Sequence, residues 1–454
     1  MKVTIGIKEA NNGKFSDLTL SYINSNGIYS EVPLLINEYS SVFDFNEDLT
    51  SIKFDLFLIS TFVYGVDNLL SREIYSFDGW AREIEVDFPV NNLTKWQGNE
   101  LLLAEILNFL TGDYWTVSFI QNKTINHFLP SIGIKTNKNS IIFEKEKVKY
   151  TSLFSGGLDS LIGIIDILEI LKDEEKILLV SHFDFKSSGP NSDQNKLYKY
   201  LNCQYPNKIY WVQSKIALGR RDNNLNKVSV ESNYRSRSFL FIGLGCFLSP
   251  IDELIIPENG TISINYPLTP SRVSSLSTRT THPFVLNKVQ ELLNECGLDI
   301  KIDNPYKFET KGRMVADCKN KNVLKNIFKD SVSCGKRGRK QNWEEKKGVN
   351  QCGVCMPCIY RRAALNKAKF DEERYGNDIL GAKSLNSFVD LPSLFSYLNK
   401  IISFEQMKRD LVVNGSIESK DLDKYAKMVL ESKEEILQLF RDKGKEFVKS
   451  QLKL

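Results

Sequence analysis

The sequence predicts an α/β protein with a parallel sheet wrapped by helices. Three observations carry that expectation. From residue 148 to about 370, apolar strands alternate with segments of helical periodicity. The first strand of that run ends in Ser155-Gly156-Gly157 and continues at once as a helix. Four late cysteines, Cys334, Cys352, Cys355 and Cys358, are spaced like the ligands of a metal ion.

The bulk numbers bound the answer. At 454 residues the chain exceeds one compact core, so two or three domains are expected. Hydrophobic residues at 42% and charged residues at 26% describe an ordinary globular protein. A net charge of +4 suits phosphate-bearing ligands but is far from the basic excess of nucleic-acid binders, which speaks against tRNA. No apolar run reaches the roughly 18 residues of a membrane span. The start, MKVTIGIKEA, lacks the apolar core of a signal peptide. The expected location is therefore the cytoplasm, with reduced cysteines.

The elements follow in order. Residues 1–147 read as a β-rich domain with a helical insert. The runs SIKFDLFLIS, AREIEVDFPV and YWTVSFI are taken as strands, and NELLLAEILNFLTG as a helix closed by Gly112. KTNKNS (135–140) reads as a polar turn. In 148–370, VKYTSLF, KILLVSHFDF, NKIYWVQ and DELIIPENG are four strands. DSLIGIIDILEILK, SDQNKLYKYL and SRSFLFIGLGCFL are the helices between them. In open sheets of this kind, ligands bind beyond the carboxyl ends of the strands. Residues 371–454 read as a helical tail or cap, with charge on the outer faces.

The turn SGGLDS raises the first functional question. Free N–H groups and the dipole at a helix start attract anions, and glycines let backbone amides close round a phosphate. Ser155 and Ser160 can add hydroxyl donors. Asp159 can cap the helix or orient a magnesium ion. No Gly-Lys-Ser/Thr follows, so this is not a Walker loop.

Cys334-x17-Cys352-x2-Cys355-x2-Cys358 suits tetrahedral zinc in a closed, structural site, with an iron–sulfur cluster as the competitor. Arg361 and Arg362 follow it, either facing an anion or as a solvated pair. The run KRGRK (336–340) reads as an exposed loop.

SGGLDS resembles the pyrophosphate-binding loop, Ser-Gly-Gly-x-Asp-Ser, of the ATP pyrophosphatase (PP-loop) superfamily. Its fold is adenine nucleotide alpha-hydrolase-like, and its members cleave ATP between the α and β phosphates to adenylate a substrate oxygen. Combined with the late Cys-x2-Cys-x2-Cys-x2-Arg, it resembles the 7-cyano-7-deazaguanine synthase family, QueC, over roughly residues 148–365. The resemblance implies ATP, Mg2+ and Zn2+ as cofactors. It implies ATP binding by Ser155, Gly156, Gly157, Leu158, Asp159 and Ser160. The backbone at His182 and Phe183 would hold adenine, and Arg237, in a segment similar to the family's Arg-Asn, would face the nucleotide. Lys311, in NPYKFETKGRMV, resembles the lysine ahead of the family's zinc cysteines. The implied catalytic set is Asp159, Ser160, Lys311 and His282.

The chain departs from the short biosynthetic enzymes after its second and fourth strands, and 1–147 has no counterpart in them. The strings ENG, NYPL, STRTTHPF, REIEVDFPV and LNFLTGDYW resemble the longer QueC-like branch of bacterial anti-phage loci, such as the QatC type of the Qat system. That branch implies an ATP-dependent ligase that adenylates 7-carboxy-7-deazaguanine and joins it to an amine on a protein partner, releasing AMP and pyrophosphate. Glu258, Asn259, Arg272, Arg279, Thr281 and His282 are then the candidate substrate-binding residues. His282 can serve the base or a proton, or simply occupy a turn before Pro283. A nitrile synthase of queuosine-type biosynthesis and a non-catalytic nucleotide-binding scaffold are the alternatives.

Overall fold

The computed structural model describes residues 1–8, 17–37, 48–123, 143–184, 188–231, 235–268 and 279–454. The leading part holds β1 (Lys2–Lys8), β2 (Asp17–Ile23), β3 (Tyr29–Asn37), α1 (Ile52–Leu69), β4 (Glu83–Val90), α2 (Glu100–Thr111) and β5 (Tyr114–Gln121). Next come β6 (Val148–Leu153), α3 (Leu158–Leu168), β7 (Lys176–Phe183), α4 (Ser188–Gln204), β8 (Ile209–Leu218), α5 (Arg237–Leu248) and β9 (Glu253–Ile255). The chain continues through α6 (Gly260–Ile264), α7 (Pro283–Glu295), β10 (Lys301–Asp303), α8 (Lys311–Asp317), α9 (Lys321–Ile327) and α10 (Met356–Lys367). It closes with α11 (Leu391–Asn399), α12 (Phe404–Asn414), α13 (Ser419–Lys443) and α14 (Glu446–Leu452).

Among the described residues, the strands form one ten-stranded, mostly parallel sheet, in the order β10-β9-β6-β7-β8-β3-β2-β1-β4-β5. β6 through β10 are parallel to one another. β7 is buried at every residue but its first, as a strand covered on both faces must be. Counting from β6, this half runs third-second-first-fourth-fifth. The order reverses between β6 and β9, and that switch point is where open sheets bind ligands. β8 pairs antiparallel with β3, so the strands of 1–147 extend the same sheet.

One expectation is overturned. SIKFDLFLIS is no strand but the start of α1, a helix buried almost throughout. Ser51 caps it by accepting from the Phe54 amide, Asp55 sits in its first turn, and the apolar run continues to Leu69, too long for a strand. Phe54 and Phe57 each lie 5.4 Å from the Phe247 ring of α5, joining the leading part to the rest in one core. AREIEVDFPV and YWTVSFI do form β4 and β5, and α2 ends at Gly112 with φ +73°, the left-handed stop a glycine supplies. The KTNKNS turn lies outside the described residues.

The C-terminal helices pack onto the back of the switch point. On α13, Glu435 accepts from Thr310 Oγ1 (2.6 Å) and Lys367 Nζ (2.8 Å). Met428 Sδ accepts from Thr261 Oγ1 at 3.4 Å. Among the described residues, no helix is long and apolar enough to cross a membrane.

Candidate functional site

The glycine turn lies at the carboxyl end of β6, on the switch point. Gly156 adopts φ +84°, a left-handed conformation that glycine takes without strain. The loop is held locally: Ser155 Oγ accepts from the Gly157 amide (3.2 Å) and meets Ser160 Oγ (3.1 Å), which donates to Gly157 O. Gly157 is the N-cap of α3, and it has no side chain with which to cap it. Among the described residues, the amides of Leu158, Asp159 and Ser160 find no acceptor within the chain. Those donors and the helix dipole form a cradle for an anion.

Beneath the cradle is a buried polar cluster. Asp159 Oδ1 lies 2.6 Å from Lys311 Nζ, and Asp159 Oδ2 accepts from Asn259 Nδ2 at 2.8 Å. Asn259 also caps α6, its Oδ1 accepting from Ile262 N. Lys311 opens α8, whose cap is Thr310. Burial works against a charge on Asp159, but the Lys311 ammonium and the hydrogen bonds from Glu258, Lys311 and Asn259 hold its carboxyl below the usual range. Glu258 goes the other way: burial and the Asp159 charge push its carboxyl well up, and the two carboxyls share a hydrogen bond. Asp159 therefore does not cap α3, and each of its carboxylate oxygens has a partner within the fold.

Other expected site residues lie at the ends of β7 and α5. His182 is fully buried; Nε2 donates to Ile216 O (3.0 Å), and Nδ1 accepts from Arg237 Nε (3.4 Å). Burial, then the Arg237 charge, drives its pKa down to about 3, so the ring is neutral. Arg237 also donates to His182 O at 3.1 Å. Phe183 is nearly buried beside it. A cavity of about 340 Å3 opens where β7 and β8 end, between Tyr64, Asn68, Asp184 and Gly219. A larger groove, about 700 Å3 and lined by charged side chains, lies between α10 and α13.

The loop before α7 is divided in its roles. Thr281 Oγ1 meets Ser263 Oγ at 2.9 Å, and Ser263 donates to Asn259 O, tying this loop to the cluster. His282 instead caps α7, Nδ1 accepting from Phe284 N at 3.2 Å, with its ring 5.0 Å from Phe109. Burial and Arg279 lower its pKa to about 3. Arg279 stacks on the Phe109 ring and donates to Phe109 O, toward α2 rather than the cradle. Arg272 lies outside the described residues.

The four cysteines converge: one sulfur from each of Cys334, Cys352, Cys355 and Cys358 lies within 4.8 Å of the others. Backbone amides turn to the sulfurs, with Cys352 N and Lys336 N on Cys334 and Cys355 N and Val354 N on Cys352. Such donors stabilise thiolates and orient them, so the set fits a metal ion such as zinc. Arg361 is wholly buried and paired with Glu373 (2.6 Å), and Arg362 faces Asp371 and Asp378; neither awaits an anion.

Gln194 is a residue that sequence reasoning missed. Buried on α4, it donates to Ser155 O and His182 O and accepts from Gln213, joining the ends of β6 and β7. A glutamine in a polar helix carries no sequence signal of such a role.

Comparison with protein-family models, curated proteins and solved structures finds no match. What stands is a class: an α/β protein with a glycine turn of uncapped amides at the switch point of its sheet and a four-cysteine cluster that could hold a metal ion.

Proposed function

We propose that this protein is a QueC-like, ATP-dependent ligase of anti-phage defence that adenylates 7-carboxy-7-deazaguanine and passes the acyl group to an amine on a protein partner. One observation carries the reading: uncapped amides on a glycine turn, set over the buried Asp159–Lys311 pair where the strand order reverses. The resemblance of SGGLDS and the late cysteines to that family supplies the substrate class.

In this reading a substrate carboxylate oxygen bonds to the α-phosphorus of ATP, and the bond from that phosphorus to the oxygen bridging to the β-phosphate breaks. Pyrophosphate leaves with the electron pair, and the amides of Leu158, Asp159 and Ser160 take up its charge. The amine nitrogen then bonds to the acyl carbon, AMP departs, and the nitrogen loses a proton. Lys311 orients Asp159. Mg2+ accompanying the nucleotide would neutralise phosphate charge. Zinc on the four thiolates would be structural.

The test is ATP labelled at the α-phosphate, incubated with 7-carboxy-7-deazaguanine and an amine. AMP and pyrophosphate that depend on the carboxylate support the proposal; ADP and orthophosphate reject it.

A further inference from the structure

The cysteine centre and the glycine turn are parts of one mechanical unit. On one side of the turn, Val332 N donates to Gly156 O at 3.0 Å. Val332 is held through its neighbour Ser331. Ser331 O accepts from Gln351 Nε2 (3.1 Å), and Ser331 Oγ from Arg361 (3.0 Å). Ser331, Gln351 and Arg361 are each fully buried. Gln351 directly precedes Cys352, with its Oε1 3.8 Å from Cys358 Sγ, and Arg361 lies on the helix that Cys355 caps.

On the other side, a Cβ on Gly156 would lie 3.2 Å from Gln194 Cγ and 3.7 Å from Asp193 Cβ. Asp193 receives a two-pronged ion pair from Arg337, with 3.0 Å between Oδ1 and one guanidinium nitrogen. Arg337 belongs to the long spacer between Cys334 and Cys352. The Val332 bond to Gly156 and the Arg337–Asp193 pair beside it are thus both tied to residues that lie next to or between the four cysteines.

We infer that Gln351 and Arg337 are positioning residues for the glycine turn, and that metal occupancy of the cysteine centre determines whether the turn is ordered enough to bind an anion. A glycine at positive φ has many other conformations open to it, so its order must come from outside the turn. Metal loss frees the Ser331–Val332 segment and the Arg337 loop together, and both sides of the clasp open.

The inference rests on the anion-cradle reading, and its test separates the two. Full-length protein is compared as zinc-loaded wild type, chelator-stripped wild type, Gln351→Ala and Arg337→Ala. Hydrogen exchange of peptides covering 155–160, calorimetric binding of inorganic pyrophosphate, and metal content are measured on each. The expected result is faster exchange at 155–160 in the stripped protein and in both variants, with pyrophosphate bound about tenfold more weakly per clasp lost. Among the described residues Arg337 makes no hydrogen bond to a sulfur, so Arg337→Ala is expected to retain its metal and keeps the clasp testable even if Gln351→Ala sheds it. Unchanged exchange at 155–160 in the stripped protein and in metal-replete Arg337→Ala overturns the inference. Failure of wild type to bind pyrophosphate rejects the cradle, while the exchange comparison still decides the clasp.

Discussion

Asp159 and Lys311, 152 positions apart in the chain, form a buried ion pair with 2.6 Å between Oδ1 and Nζ. Asn259 takes the second carboxylate oxygen, so the charge is fully paired within the fold. The pair joins the first turn after β6 to the start of α8, and its cost and purpose can be measured separately.

Removing one partner of a buried pair leaves an uncompensated charge, at about 3–5 kcal/mol. Lys311→Met should lower the unfolding free energy by about that much in denaturant titration. Asp159→Asn combined with Lys311→Met should recover most of the stability. Neither variant should release pyrophosphate from ATP. Activity in the double variant would show that the pair serves only the fold.

Gly156→Ala places a Cβ at φ +84° and 3.2 Å from Gln194 Cγ. The left-handed conformation alone costs about 1–2 kcal/mol. The variant should fold with a modestly lower Tm, yet bind pyrophosphate at least several-fold more weakly. Gly98→Ala, also at positive φ but with open space around it, should cost stability without touching binding.

Among the described residues, two buried histidines set an acid limit. His182 and His282 have pKa values lowered from 6.5 to about 3. His182 faces Arg237, Asp184, Tyr64 and the Ile216 carbonyl; His282 faces Arg279, Phe109 and Gly415. Below pH 6.5 the unfolded chain binds protons that the folded chain refuses, so stability falls as pH drops from 6.5 toward 3. At pH 5 the loss is about 2 kcal/mol for each histidine. His282→Asn keeps a capping oxygen and removes one titration; its stability should fall less between pH 7 and pH 5 than that of wild type.

The cysteine centre should hold one metal ion per chain. Elemental analysis of the purified protein should find zinc, and Cys352→Ser should lose both the metal and the order of residues 331–358. Visible charge-transfer absorption with stoichiometric iron would assign an iron–sulfur cluster instead.

The glycine turn and the cysteines were legible because each signal is local. Ser155-Gly156-Gly157 announces backbone that must approach something closely, and thiols two residues apart converge on a metal whatever surrounds them. Alternation of strands and helices likewise declares a layered sheet. Periodicity over ten residues did not suffice for SIKFDLFLIS, because a short apolar run is compatible with either structure until its length and cap are considered. The Lys311 segment was found only by its resemblance to a motif, and nothing local identified its partner.

By itself, the sequence determined the turn that bares its amides, the four-thiol set and the α/β character of the middle of the chain, all products of short-range geometry. Only the tertiary structure decided that Lys311 and Asn259 meet Asp159, that His282 caps a helix while Thr281 reaches the cluster, and that Val332, two residues before Cys334, bonds to Gly156. These relations depend on where the strand order reverses and on which side chains lose water together. Chain spacing carries no record of either.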